Sequence, residues 1–159
     1  MRAPDVEPVV VDTNLFGGLL VRASRKRSEL LRRYSSHLTG KPIVLAFTTV
    51  AELRYGAYKA GWGEARLNDL EEKFRNVQVV MPDSDLVETC ARLRVSCEEQ
   101  GHALHEKLHE ADRWIAATAI RYGIPLVSDD TIFRNVPNLR LLQEPDIRAN
   151  SKPGSTDER

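Results

Sequence analysis

Acidic residues stand where predicted β-strands of this sequence give way to turns or helices. Asp12 follows Val9-Val10-Val11, three β-branched residues that are typical of a short strand buried on both faces. Asp129 and Asp130 follow another apolar run, Leu126-Val127-Ser128. In open α/β sheets, ligands bind just beyond the carboxyl ends of the strands. Carboxylates at these points are therefore placed where they could do chemistry.

Two further acids are predicted to reach the same edge. Glu52 lies in the first turn of a helix that leaves a second predicted strand, although Thr49-x-x-Glu52 also fits a capping box with a purely structural role. Asp112 falls on the otherwise apolar stripe of a helix predicted over residues 104–122. That stripe comprises Leu108, Asp112, Ile115, Ala119 and Tyr122. A carboxylate there is costly to bury unless a cation or several hydrogen-bond donors meet it.

Clustered carboxylates without matching Lys or His side chains suit a hard divalent cation. Mg²⁺ and Mn²⁺ prefer oxygen ligands and retain several waters. A metal held in this way can activate a water and stabilise the leaving oxygen in phosphodiester hydrolysis. Each acid also has a structural alternative. Asp12 could cap the helix that follows it, and Asp112 could be a buried carboxylate satisfied by backbone donors.

Strands alternate with helices along the chain, which predicts an α/β domain with a mostly parallel sheet and helices on both faces. With 159 residues, 42% of them apolar, residues 1–143 are expected to form one domain with its own core. Residues 144–159 are polar and contain prolines, so we expect a disordered tail. The predicted strands are residues 9–11, 43–47, 77–80, 126–128 and 139–142.

The 23 basic and 23 acidic residues balance, so binding to nucleic acid would require a local patch. Arg25, Lys26 and Arg27 could form such an RNA-binding patch, although a solvated helix face is the alternative. No apolar run approaches membrane-spanning length, and no membrane association is expected. Cys90 and Cys97 lie two helical turns apart, about 10 Å and beyond disulfide reach. Free thiols are typical of a reducing compartment, which predicts a cytoplasmic protein.

Four blocks of the sequence, between residues 9 and 142, resemble the PIN-domain nucleases and occur in the order of that family. They are Val-Asp12-Thr-Asn14, Thr49-Val-Ala-Glu52-Leu-Arg-Tyr-Gly56, Ala111-Asp112-Arg-Trp-Ile-Ala-Ala-Thr-Ala119 and Pro125-Leu-Val-Ser-Asp-Asp130-Thr-Ile-Phe133. Within the family, the chain is similar to the VapC-type toxins of bacterial toxin–antitoxin pairs. The resemblance implies a three-layer αβα PIN-like fold and a Mg²⁺- or Mn²⁺-dependent endoribonuclease.

The resemblance also implies roles for individual residues. The catalytic acids would be Asp12, Glu52, Asp112 and Asp130, and the metal ligands would be Asp12, Asp112 and Asp130. Thr13, Asn14 and Asp129 would be supporting polar groups, with Asp129 an alternative to Asp130 as the fourth acid. The implied partners are an RNA substrate, a cognate antitoxin protein and a second copy of the chain in a homodimer.

Three alternatives remain open from the sequence. The chain could be a catalytically silent PIN-like module that binds RNA or protein. It could be a zinc metallohydrolase, because His105-Glu106-Lys-Leu-His109 fits the H-E-x-x-H pattern, but no third ligand follows at a clear spacing. A phosphatase of the haloacid-dehalogenase type would need a second Asp two residues after Asp12, where the sequence has Asn14.

Overall fold

The computed structural model describes residues 5–20 and 25–145, without the side chains of Lys26 and Arg27. The strands are β1 (Val9–Val11), β2 (Ile43–Ala46), β3 (Gln78–Val80), β4 (Leu126–Val127) and β5 (Leu141–Leu142). The helices are α1 (Thr13–Leu20), α2 (Arg25–Leu38), α3 (Phe47–Lys59), α4 (Glu64–Arg75), α5 (Ser84–Glu99) and α6 (Glu110–Tyr122). Short 3₁₀ turns occur at Ala103–His105, Lys107–His109 and Thr131–Phe133.

The strands form one sheet in the order β3-β2-β1-β4-β5, and every pair of neighbours is parallel. The chain builds outward from β1 to β2 and β3 on one side, and then adds β4 and β5 on the other. The strand order therefore reverses beside β1. A crevice at such a switch point is where open parallel sheets bind their ligands.

Alternate side chains of β1 enter two separate hydrophobic cores. Val9 and Val11 pack with residues of α1, α2, α3 and α4, whereas Val10 packs with residues of α5 and α6. This alternation follows from the pleat of a strand, which points successive side chains to opposite faces. The sheet is thus the middle of three layers, which confirms the predicted αβα architecture.

Helix α1 forms even though Gly17 and Gly18 weaken its helical propensity. A Cβ atom added at Gly17 would lie 3.3 Å from the Cδ2 atom of Leu53. The missing side chain therefore lets α1 approach α3 closely, which matters because both helices carry residues of the site described below.

The predicted helix over residues 104–122 is wrong in its first turn and a half. Residues 103–109 form two 3₁₀ turns, and α6 begins only at Glu110. Leu108 is 83% exposed and Tyr122 is 46% exposed, so neither belongs to the buried stripe. Ile115 and Ala119 are buried as expected.

The predicted capping box at Thr49 and Glu52 is also wrong. Strand β2 ends one residue earlier than expected, and α3 begins at Phe47 after Ala46, which makes no side-chain cap. Glu52 therefore lies in the second turn of α3 and does not cap its start. The ring of Phe47 packs edge-to-face on Trp114, with ring centroids 5.2 Å apart, and this contact holds the start of α3 against α6.

The chain beyond β5 contacts α2 as far as the structure describes it. The side chain of Glu144 lies 2.7 Å from Nε2 of His37, and an amino group of Arg33 donates to the carbonyl oxygen of Pro145 at 2.8 Å. The tail expected over 144–159 lies outside the described residues from 146 onward.

Two smaller predictions concern thiols and membranes. Cys90 and Cys97 are buried free thiols, as predicted. No helix in the described part of the chain is long and apolar enough to cross a membrane.

Candidate active site

Asp12 lies at the switch point, between the ends of β1 and β4, and only 3% of it is exposed. The backbone N–H of Leu15 donates to Oδ1 of Asp12 at 3.0 Å, and the hydroxyl of Ser128 donates to Oδ2. Ser128 also accepts the backbone N–H of Asp130 at 3.0 Å. One serine side chain thus ties Asp12 to the segment that carries Asp130.

The carboxyl group of Asp12 ionises less readily than that of an exposed aspartate. Burial raises its pKa from 3.8 to about 6, although the hydrogen bonds from Leu15 and Ser128 act in the opposite direction. The negative charges of Asp129 and Asp130 raise the pKa further. A buried carboxylate that faces other carboxylates would gain from a nearby cation.

Asp112 lies in the first turn of α6, and its side chain is 30% exposed. Burial raises the pKa of Asp112, and the charge of Asp130 raises it further. Nδ1 of His109 lies 3.3 Å from Oδ2 of Asp112 and lowers the pKa of that carboxyl group. Asp130 therefore acts electrostatically on both Asp12 and Asp112.

Glu52, on α3, is connected to this edge of the sheet by a hydrogen bond from Thr13 of α1. Its Oε2 atom lies 2.7 Å from the hydroxyl of Thr13, which is also 3.1 Å from the hydroxyl of Thr49. A hydroxyl has one proton, so Thr13 donates to the carboxylate and accepts from Thr49. Glu52 is exposed. Its carboxylate is oriented by Thr13, the residue that follows Asp12, and Thr13 is in turn held by Thr49.

The structure also locates the other residues named from the sequence. Asp130 is half-buried, and its Oδ1 atom caps the 3₁₀ turn that follows by accepting from the backbone N–H of Ile132 at 3.0 Å. Asp129 and Asn14 are exposed. Of the basic segment, Arg25 is exposed at the start of α2, whereas the side chains of Lys26 and Arg27 lie outside the described residues.

Two side chains that organise the site, Ser128 and Gln143, are not predicted from the sequence. The sequence predicts Ser128 as part of a strand, yet β4 ends at Val127 and the Ser128 hydroxyl binds Asp12. Gln143 donates from its amide nitrogen to the carbonyl oxygens of Ser128 at 3.1 Å and Asp130 at 2.9 Å. A polar residue ending an apolar strand could have identified Ser128, but no local pattern indicates Gln143.

The H-E-x-x-H segment does not present both imidazoles on one helix. His105 ends the first 3₁₀ turn and His109 ends the second, with Glu106 extended between them. Nδ1 of His105 lies 2.8 Å from the carbonyl oxygen of His102, whereas His109 contacts Asp112. This geometry disfavours the zinc metallohydrolase alternative.

The acidic residues fit a hard divalent cation in charge and in donor chemistry. All of them offer carboxylate oxygen, and within the described residues their one ion pair is the contact of Asp112 with His109. In that part of the chain, no three His, Cys, Asp or Glu side chains already surround a common point. Mg²⁺ is commonly bound in proteins through one or two carboxylates and several waters, so it does not require three direct side-chain ligands.

Known proteins resemble this chain in both sequence and fold. Ribonuclease VapC5 of Mycobacterium tuberculosis is 27% identical over 126 residues, which cover 78% of this chain and 84% of that protein. The solved structure of DNA-bound VapBC from Salmonella typhimurium matches with a TM-score of 0.67 at 20% identity, over 87% of this chain and 98% of that one. VapBC2 of Rickettsia felis, bound to a promoter DNA fragment, matches with a TM-score of 0.66 at 21% identity, over 85% of this chain and 97% of that one.

The family model supplies the assignment. The model of the PIN domain matches residues 9–139, a span that begins with β1 and contains every acidic residue of the site. The similar solved structures show the same fold. The chain belongs to the PIN-domain family.

Proposed function

We propose that this protein is an endoribonuclease that depends on Mg²⁺ or Mn²⁺ and cleaves RNA phosphodiester bonds. The observation that carries the proposal is Asp12, a carboxylate buried at the switch point of a parallel sheet with the charges of other acids acting on it. The chain keeps this arrangement at an energetic cost, because the charged form of Asp12 is disfavoured by burial. Costly carboxylates of this kind are common at functional sites.

In this proposal, Asp12, Asp112 and Asp130 hold the cation. Leu15 and Ser128 fix the orientation of the Asp12 carboxylate, and the side chains of Asp112 and Asp130 would move toward it when a cation binds. We assign the third ligand to Asp130 and not to Asp129, because the charge of Asp130 raises the pKa of Asp112 as well as that of Asp12. When bound, the cation would lower the pKa of a coordinated water and stabilise the charge on the phosphate.

Glu52 is assigned to proton transfer. Thr13 donates to Oε2 of Glu52, which leaves Oε1 of this exposed carboxylate to accept a proton from the attacking water. Thr49 supports Thr13, so the orientation of Glu52 depends on contacts made by both threonines. Asn14 and Asp129, both exposed at this edge, are proposed to contact substrate or its bound water.

Arg25, Lys26 and Arg27 are proposed to contact the phosphates of the RNA. Such contacts require cations near the backbone of the nucleic acid, with little demand on geometry. Arg25 is exposed, as this role requires.

We further propose that the protein is the toxin of a toxin–antitoxin pair, that it forms a homodimer and that it acts in the cytoplasm. Similar solved structures are described as toxin–antitoxin assemblies, among them a complex from Klebsiella pneumoniae. The buried free thiols of Cys90 and Cys97 suit a reducing compartment. Co-expression with the product of the adjacent reading frame tests the pairing. A stable complex that suppresses RNA cleavage supports it, and an adjacent product that neither binds nor inhibits contradicts it.

RNA cleavage by purified variants tests the nuclease activity. The parent is expected to cleave single-stranded RNA with Mg²⁺ or Mn²⁺ and to stop when the metal is chelated. Asp12→Asn and Asp112→Asn should abolish cleavage while circular dichroism shows an unchanged fold. Asp69→Asn, a change at an exposed acid on α4, is the matched control and should cleave at the parent rate.

Two outcomes would contradict the proposal. Cleavage at the parent rate by either Asp12→Asn or Asp112→Asn would show that the acids are structural. A folded parent that binds RNA but does not cleave it with either metal would favour the catalytically silent binding module.

A further inference from the structure

A shallow surface cavity, wide open to solvent and about 490 Å³ in volume, lies beside the acidic residues. One wall is formed by residues 101–103, the other by residues 131–135, and His109 and Asp130 lie at the end that borders the site. Pockets that bind small organic groups have volumes of roughly 300–1,000 Å³. The cavity therefore has room for a group the size of a nucleobase next to the proposed cleavage site.

A histidine joins the two walls. Nε2 of His102 donates to the carbonyl oxygen of Arg134 at 2.7 Å, and Nδ1 accepts the backbone N–H of Leu104 at 3.1 Å. Both ring nitrogens are thus engaged by the backbone, which leaves the face of the imidazole as the part of the side chain that can contact a ligand. The hydrogen bond from His102 to Arg134 also fixes the distance between the two walls.

The loop that continues from the first wall, residues 104–106, is held in an irregular conformation by arginine side chains. Arg113 is 4% exposed, and its guanidinium group donates to the carbonyl oxygens of Leu104 at 2.8 Å and Glu106 at 3.1 Å. Nε of Arg94 donates to the carbonyl oxygen of His105 at 3.1 Å. These hydrogen bonds offset the cost of burying the Arg113 guanidinium group, so Arg113 and Arg94 together hold the shape of the loop.

The second wall is fixed by the residues that organise the acids. Asp130 caps the turn at residues 131–133, and Gln143 binds the carbonyl oxygen of Asp130. Nε of Arg134 donates to Oε1 of Gln143 at 2.6 Å, which places the guanidinium group at the rim of the cavity. The cavity is therefore built before any ligand binds and shares its frame with the acidic site.

We propose that this cavity binds the base of the nucleotide next to the cleaved phosphodiester bond, an inference that rests on the proposed ribonuclease function. The imidazole face of His102, the side chain of Ile132 and the methyl group of Ala103 offer surfaces on which a base can stack or pack. Thr131 and Asn135 line the cavity with groups that can hydrogen-bond to the edge of a base.

Charged side chains of both signs, Asp130 and Arg134, line the cavity, so it suits a neutral base better than a phosphate. Asp130 borders it and repels anions, whereas a nucleobase is neutral. Arg134 at the rim can stack on the base or contact the phosphate that follows it. A single-stranded RNA can turn one base out of its stack into such a pocket, which is how proteins commonly recognise RNA sequence.

Nuclear magnetic resonance titrations with the four ribonucleoside 5′-monophosphates test the proposal without any cleavage. Saturable shifts are expected for the backbone amides of residues 101–103 and 131–135 with at least one nucleotide, and ribose 5-phosphate should not produce them. The shifts should be weakened or lost in Ala103→Leu, which narrows the cavity and adds bulk where the base would pack. Ala91→Leu, the same change at an exposed alanine of α5, should preserve them.

A second variant keeps the proposal testable if Ala103→Leu does not fold. Thr131→Val keeps the shape of an exposed side chain but removes its hydroxyl, and it should change which nucleotide binds best. In cleavage assays, Ala103→Leu and Thr131→Val should alter the base preference at one position beside the cut, whereas Ala91→Leu should not.

Three results would overturn the proposal. They are the absence of nucleotide-induced shifts at these amides, equal shifts with ribose 5-phosphate, and shifts that persist unchanged in both Ala103→Leu and Thr131→Val. Each is independent of the nuclease test. A parent that fails to cleave RNA but shows the shifts would contradict the ribonuclease function while leaving nucleotide binding in the cavity established.

Discussion

The raised pKa of Asp12 predicts that the metal-free protein loses stability as the pH rises through the weakly acidic range. The folded-state pKa is about 6, against an ordinary value of 3.8. Between these values the folded protein binds more protons than the unfolded chain, so the free energy of unfolding falls as pH increases. The difference of about two pKa units corresponds to about 3 kcal/mol at 1.36 kcal/mol per unit.

Part of this loss in the free energy of unfolding falls in a pH range in which unfolding can be measured. Below the unfolded pKa there is no penalty, and above the folded pKa the penalty is complete. Between about pH 5 and pH 7.5 the contribution of Asp12 should amount to roughly 1–1.5 kcal/mol. Little discount for solvent is needed, because Asp12 is 3% exposed.

Urea unfolding of the parent and of Asp12→Asn, both with a chelator, isolates this contribution. The amide introduced by the substitution does not titrate, so subtracting the pH dependence of the variant removes the effect of all other groups. Since urea m-values are typically about 1–3 kcal/mol/M, the gap between the two midpoints should change by roughly 0.3–1.5 M from pH 5 to pH 7.5. Saturating Mg²⁺ at the higher pH should stabilise the parent and have less effect on the variant.

A parallel pH dependence of the two proteins would refute this reasoning. It would mean that the hydrogen bonds from Leu15 and Ser128 already compensate for the burial of Asp12. If, in addition, Mg²⁺ shifted neither midpoint, the acidic cluster would be structural.

The remaining predictions concern individual contacts. Thr13→Val should lower kcat roughly tenfold with KM unchanged, because losing one hydrogen bond to Glu52 costs about 1.4 kcal/mol in positioning; an unchanged kcat would remove Thr13 from the site. His105→Ala should cleave RNA at the parent rate and zinc chelators should have no selective effect, whereas stoichiometric zinc that is lost in this variant would revive the zinc site. Replacing Arg25, Lys26 and Arg27 with Ala should weaken RNA binding. It should also reduce the slope of log affinity against log salt concentration by about 0.7 for each lost phosphate contact. Unchanged affinity at low and high salt, measured by fluorescence anisotropy, would show that the segment is only a solvated helix face.

The fold could be predicted mainly from the hydrophobic pattern of the sequence. Runs such as residues 9–11 and 126–127 could be recognised as strands because a sheet covered on both faces requires apolar side chains on both. The position of Asp12 at the carboxyl edge of the sheet could be predicted from the alternation of strands and helices alone. The ends of elements were less predictable, since strand β2 stops at Ala46 and α3 begins without a side-chain cap.

The segment before α6 could not be predicted from periodicity. In a continuous helix, the carbonyl oxygen of Leu104 would accept from the backbone N–H of Leu108. Here that oxygen accepts from Arg113, a partner nine residues away, and Glu106 is extended. A tertiary contact therefore replaces the local one, and a local sequence pattern does not report it. The role of Gln143, which also rests on tertiary contacts, could not be predicted for the same reason.

The hydrogen bond between Ser128 and Asp12 has a consequence for biosynthesis. It joins residues 116 positions apart, and β1, at the amino-terminal end, pairs directly with β4. A nascent chain that has passed Asp112 already contains most of the acids, yet it lacks the strand and the serine that position Asp12. Such distant pairings form slowly, because loop closure precedes the contacts that stabilise it. Assembly of the acidic edge therefore waits until the ribosome has delivered the chain past Ser128, so shorter fragments carry the acids without the framework that orders them.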